Sequence, residues 1–188
     1  MIEKQTIHNK QYGLFTIPNI EIKTIFEDSI LFWFVQSDTY DRFNTVLNNL
    51  KKGFLQDFED YFEEFITRVC SYYDFADHEP ERVYHALILG MMVQLQSDYK
   101  ITSNRESGFG RYDIMLHPLR SELPAYIFEF KRFVSLKEST IEDTLNSAWK
   151  QMHDLNYANT LQQEGFTNIH HIAIAFKGKE VKIRYEEI

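Results

Sequence analysis

Two carboxylates and an amine stand at a spacing that suits work on a phosphate. Asp113 ends the stretch Gly108-Phe109-Gly110-Arg111-Tyr112-Asp113, and Glu129 and Lys131 lie in Ala125-Tyr126-Ile127-Phe128-Glu129-Phe130-Lys131. Both stretches read as strands, and the Pro- and Ser-containing segment His117 to Pro124 joins them. Side chains alternate along a strand, so Glu129 and Lys131 share a face. A hairpin between the two strands would carry Asp113 to that face as well. Carboxylate oxygens suit a hard divalent cation, and a lysine beside them suits an attacking nucleophile or a developing negative charge.

Elements of a definite kind must hold these residues. Residues 1 to about 17 read as a short extended piece (Tyr12, Leu14, Phe15, Ile17) ahead of Pro18-Asn19. Helical spacing of apolar residues then predicts helices over Ile20 to Val35, Asp41 to Lys51 and Phe54 to Tyr72. Gly53 separates the last two, and the acidic run Asp57, Glu59, Asp60, Glu63 and Glu64 reads as the solvated face of the third. The pattern breaks around Asp74 to Pro80, which divides an N-terminal helical region, 1–76, from a second domain, 77–188. Pro80 suits the first turn of a helix running to about Leu95. Strands follow at Tyr99 to Ser103, Tyr112 to His117 and Ala125 to Phe133, then one long helix from Ser139 to Leu161. Two closing strands, His170 to Phe176 and Glu180 to Tyr185, turn at Lys177-Gly178-Lys179. The expected class is α/β, with one mixed sheet flanked by helices.

Bulk properties exclude several classes. An apolar share of 44% and an aromatic share of 15%, with few Gly and Pro, belong to a globular chain and not to a disordered or fibrous one. No run of about 18 apolar residues occurs, so no membrane span is expected. The polar N-terminus Met1-Ile2-Glu3-Lys4-Gln5 does not resemble a secretory signal. The single cysteine, Cys70, makes no internal disulfide and is read as a buried structural thiol, which fits a cytoplasmic location. The net charge of −8 argues against a generic nucleic-acid binder, but the excess is local. Asp57 to Glu81 holds nine acids and one base, whereas Lys100 to Lys137 holds seven bases and four acids. Phosphate attraction follows the local field, so the candidate site sits in the more favourable part of the chain.

The order of motifs resembles the PD-(D/E)XK nuclease superfamily, whose core runs αβββαβ. The resemblance covers about the last 105 residues, Glu81 to Tyr185. It is carried by Glu81-Arg82-Val83-Tyr84-His85, by Ser103-Asn104-Arg105-Glu106-Ser107-Gly108-Phe109-Gly110-Arg111-Tyr112-Asp113, by Ile127-Phe128-Glu129-Phe130-Lys131, by Ala148-Trp149-Lys150-Gln151 and by Ile172-Ala173-Ile174-Ala175-Phe176-Lys177-Gly178-Lys179. More narrowly, it is similar to the nuclease-like domain of bacterial proteins that carry an AAA-ATPase-like domain ahead of it. Phe15-Thr16-Ile17-Pro18-Asn19 is similar to the tail of that upstream domain. No G-x-x-x-x-G-K-[ST] phosphate loop occurs, so no ATP site of that kind is expected in this chain. Tyr112 stands where the superfamily's name has proline, a position that varies widely among its members.

The resemblance implies a restriction-endonuclease-like fold and a metal-dependent nuclease acting on DNA, with Mg²⁺ or Mn²⁺ held by Asp113, Glu129 and Glu81. Lys131 would orient the attacking water, and Gln151 would serve as the helix-borne partner. Arg105, Arg111 and His85 would contact nucleic acid, and a homodimer would suit cleavage of both strands. Each role has a plainer alternative. Asp113 can be a turn-forming acid, Glu129 and Lys131 a surface pair, and Glu81 a first-turn acid favoured by the helix dipole. Gln151 can be an edge residue, His85 a packed core histidine, and Arg105 and Arg111 rim charges. His170 and His171 occupy adjacent strand positions, face opposite sides and are read as structural. A module of this fold that binds nucleic acid or protein without cutting is the competing function. An unpaired carboxylate is costly to bury in a strand as apolar as 126–130, which favours a site at Glu129.

Overall fold

A computed structural model describes residues 3–7, 10–14, 39–72, 81–104, 106–107 and 110–188. The expected helix over 20–35 and the expectations for Pro80, Arg105, Gly108 and the Cys70 thiol lie outside the described residues. Two compact units divide between Gln36 and Ser37. In the first, strands β1 (Glu3–Ile7) and β2 (Lys10–Leu14) form an antiparallel pair.

The second unit opens with helices α1 (Thr39–Lys52) and α2 (Leu55–Tyr72). Phe43, Val46, Leu47 and Leu50 of α1, and Leu55, Phe58, Phe62, Phe65 and Ile66 of α2, recur at helical spacing and are buried. Gly53 turns between the two helices at φ +73, a conformation that glycine adopts without steric cost. The acidic run along α2 is exposed or half-buried, as a solvated face should be, and Glu64 pairs with Arg42 and Arg68. Both helices therefore share a compact unit with the sheet that follows.

Helix α3 (Glu81–Met92) tightens into a 3₁₀ turn at Val93–Leu95. A five-stranded sheet then forms in the order β3-β6-β7-β8-β9, from β3 (Tyr99–Ser103), β6 (Ile114–Pro118), β7 (Ala125–Arg132), β8 (Ile169–Lys177) and β9 (Glu180–Glu187). Strands β7 and β8 run parallel, and the other pairs are antiparallel. The parallel central pair is covered on both faces, so its burial is nearly continuous, whereas edge strand β9 alternates. Gly178, at φ +59, makes the tight β8–β9 turn that the Lys-Gly-Lys stretch predicts.

Between β3 and β6 lies a small hairpin, β4 (Glu106–Ser107) with β5 (Gly110–Arg111), that the sequence pattern did not reveal. The strand expected from Tyr112 accordingly begins at Ile114, and Asp113 sits at the bend before it.

The expected single helix over 139–161 is two helices, α4 (Ile141–Asp154) and α5 (Asn159–Gln163). Asn156 takes φ 47, a left-handed conformation that asparagine tolerates better than most residues. Apolar spacing runs on through Leu155, Ala158 and Leu161, which hid the break. Tyr157, in the turn between the two helices, is fully buried. A capping box between Thr140 and Asp143 fixes the start of α4.

Helix α4 covers one face of the sheet, packing Ile141, Leu145, Ala148 and Met152 on Met115, Ile127, Ala173 and Ala175. On the other face Tyr84 of α3 stacks on Phe176, with ring centroids 4.4 Å apart, and the Tyr126 hydroxyl donates to the Leu50 carbonyl at 2.5 Å. The core therefore follows the connectivity α3-β3-β6-β7-α4-β8, which is αβββαβ once the small hairpin is set aside.

Candidate active site

The C-terminal end of β7 gathers the charged residues. Register pairs Ile114 with Phe128, so the bend at Asp113 lies beside the stretch Glu129–Phe130. The Phe130 backbone N–H donates to Asp113 Oδ2 at 2.7 Å and fixes that carboxylate against β7. Glu129 and Lys131 alternate with Phe128 and Phe130, so both point toward α4. Lys131 Nζ lies 3.6 Å from Glu129 Oε1 and donates to Gln151 Oε1 at 2.7 Å.

Gln151 is held in turn. Its Nε2 donates to the Tyr157 hydroxyl at 3.0 Å, and that hydroxyl donates to the Arg111 carbonyl at 2.7 Å. Burial pushes the Tyr157 phenol up to about 12, so it stays protonated and keeps this donor role. The chain Lys131–Gln151–Tyr157–Arg111 thus ties the amine on β7, through the α4 residue, to the backbone just before Asp113. Sequence reasoning missed Tyr157, because a lone tyrosine within the expected 139–161 helix carries no motif. The Phe130 amide was also unforeseen.

The carboxylates are strained electrostatically. Glu129 is 3% exposed, and its Oε2 is buried with no hydrogen-bond partner among the described residues. Burial first, and the neighbouring Asp113 charge second, push Glu129 up to about 8, against a weaker pull from Lys131. Burial also raises Asp113, while the Phe130 N–H, His85 and Lys131 oppose that rise. A buried acid and a half-buried one that repel each other, with one oxygen unpartnered among the described residues, suit a divalent cation.

Glu81, the first residue of α3, is exposed and accepts from the Arg132 backbone N–H at 3.2 Å. Its charge adds to the repulsion felt by both Asp113 and Glu129, so it borders the same site. His85, one turn further along α3, points Nε2 at the Asp113 carbonyl oxygen at 3.2 Å and at Ser103 Oγ at 3.2 Å. A carbonyl oxygen only accepts, so this contact calls for an Nε2–H. Arg111 is exposed on β5, with its carbonyl engaged by Tyr157.

His170 and His171 do face opposite sides of β8. His170 stacks near Tyr126, and His171 lies against α4 and β9.

A mixed sheet of αβββαβ connectivity, with two acids and a lysine meeting on adjoining strands, defines a restriction-endonuclease-like class of protein. A family model described as the PD-(D/E)XK nuclease superfamily matches residues 79–186, and the chain belongs to that superfamily. No curated protein matches the chain. Among the described residues, no helix is long and apolar enough to cross a membrane.

Proposed function

We propose that this chain is a nuclease that hydrolyses phosphodiester bonds of DNA with Mg²⁺ or Mn²⁺. The observation that carries this reading is the buried Glu129 carboxylate beside Asp113, with Oε2 unpartnered among the described residues and Oε1 3.6 Å from the Lys131 ammonium. Asp113 and Glu129 would hold the cation, with Glu81 at the rim. Bound there, a divalent ion would offset the paired carboxylates, draw charge from the phosphate and make water a better nucleophile.

The protein's own residues supply orientation. Lys131, fixed by Gln151, directs the attacking water and stabilises the negative charge that grows on the phosphoryl oxygens. The water oxygen bonds to phosphorus as the bond to the leaving oxygen breaks; the water gives up one proton to solvent, and the leaving oxygen takes one from solvent. Tyr157 holds the Gln151 amide and so keeps Lys131 from swinging into solvent. His85 and Arg111 stand at the edge where a nucleic-acid backbone would pass, and Arg105 belongs to the same proposal from its place in the sequence. Helices α1 and α2 serve, by the same resemblance, as the tail of an ATPase-like domain or its connector, and the protein works in the cytoplasm, where its single cysteine makes no internal disulfide.

The test is incubation of the purified chain with single-stranded DNA, supercoiled duplex DNA or RNA, plus Mn²⁺ or Mg²⁺, alongside Lys131→Ala. Cleavage of DNA by the parent, with a loss of roughly 100-fold or more in the variant, is expected. Equal cleavage by both would trace the activity to a contaminant. No cleavage by either would favour a module that binds without cutting.

A further inference from the structure

A second cluster of ligand-bearing side chains lies away from the carboxylate pair. His153 on α4, His171 on β8 and Glu186 on β9 bring one ligand atom each within 4.8 Å of one another. His153 Nε2 stands 2.6 Å from Glu186 Oε1, and His171 Nδ1 stands 3.3 Å from the same oxygen. His171 and Glu186 are register partners across β8 and β9, so the sheet itself sets that pair.

The hydrogen bonding of His153 is the informative part. Its Nδ1 lies 2.8 Å from the Trp149 carbonyl oxygen, one turn earlier on the helix. A carbonyl cannot donate, so Nδ1 carries the proton. In the neutral ring Nε2 then presents a lone pair, and it faces a carboxylate oxygen. Two lone pairs at that distance repel, and either a proton on Nε2 or a metal ion bound by both groups relieves the repulsion. An imidazole whose far nitrogen donates to a backbone carbonyl is the arrangement that orients a histidine for a metal.

His171 fits the same reading. Its side chain is 5% exposed, and its Nδ1 faces the same Glu186 oxygen that His153 meets. His153 and Glu186 are 42% and 35% exposed, which leaves the cluster open to an ion from solvent.

We infer that His153, His171 and Glu186 form a site for a borderline transition-metal ion, with Zn²⁺ the best match. Two imidazoles and one carboxylate suit Zn²⁺, with water completing four ligands, whereas Mg²⁺ prefers oxygen alone. The site is distinct from the carboxylate pair at Asp113 and Glu129. His153 follows Gln151 by two residues, and residues so spaced on a helix do not share a face. A metal there would pin the last turn of α4 to β8 and β9, close to the residue that holds Lys131.

The experiment is titration of the full chain with Zn²⁺ by calorimetry, and with Co²⁺ by visible absorption, in an Asp113→Asn/Glu129→Gln background that disables the other site. One equivalent should bind, with the absorption bands of nitrogen-ligated Co²⁺. His153→Gln and Glu186→Gln, tested separately, should each weaken Zn²⁺ by at least about 100-fold, since losing even an outer partner of a metal ligand costs roughly 10–100-fold. Metal-free melting curves of these variants should match the background, because both side chains are partly exposed. The same Co²⁺ titration of the unaltered chain in excess Mg²⁺ should give the same bands. No saturable Zn²⁺ binding, or binding weakened less than tenfold by both variants, would overturn the site and leave a plain His153–Glu186 ion pair.

Discussion

Glu129→Gln should stabilise the metal-free protein, and by an amount that depends on pH. The carboxyl rises from 4.5 in the unfolded chain to about 8 in the folded one. Folded protein therefore keeps a proton on Glu129 over a window in which unfolded protein has lost it. Below 4.5 both states are protonated and the group has no effect. Between 4.5 and about 8 the unfolded state binds fewer protons, so stability falls as pH rises, and above about 8 the loss is complete. At about 1.36 kcal/mol per pH unit, the full window amounts to as much as about 5 kcal/mol. That is a large share of the roughly 5–15 kcal/mol that holds a domain folded. Glutamine keeps the shape and removes the charge, so the variant should lose most of this slope. Urea unfolding in EDTA, at pH values on either side of the window, measures it. Mn²⁺ should restore stability to the parent at the alkaline end and do much less for the variant. A parent whose stability does not fall across the window, or a variant that is less stable than the parent at alkaline pH, would refute the electrostatic account of this site.

Two further substitutions probe how the site is held. Tyr157→Phe removes the hydroxyl that joins Gln151 to the Arg111 carbonyl, and should lower kcat about 10-fold or more with little change in KM. Its cost in stability should be near 1 kcal/mol by denaturant titration, so a fall in activity without unfolding identifies positioning. Tyr126→Phe removes the bond from β7 to the Leu50 carbonyl at the end of α1, and should cost about 1–2 kcal/mol in a single cooperative transition. Two separate transitions would show instead that α1 and α2 unfold independently of the sheet.

Much of this architecture was legible in the chain because burial repeats with the period of each element. Two-residue alternation placed Glu129 and Lys131 on one face of β7, and helical spacing located α1, α2 and α3 to within a residue or two at most ends. The order of acids, lysine and glutamine along those elements was also enough to carry the family resemblance that the family match bears out. Periodicity failed where the backbone turned without interrupting it. Leu155, Ala158 and Leu161 kept a helical rhythm across the turn at Asn156, and the short hairpin of β4 and β5 is too small to show any rhythm.

What the sequence by itself determined is the set of chemical groups, their order, and the face of the strand or helix on which each falls, because local periodicity is written residue by residue. What only the tertiary structure decided is which groups meet. The Phe130 amide reaches Asp113, Tyr157 braces Gln151, and His153 comes to His171 and Glu186 because α4 is laid across the sheet in one register. Those distances depend on long-range packing, which no window along the chain contains.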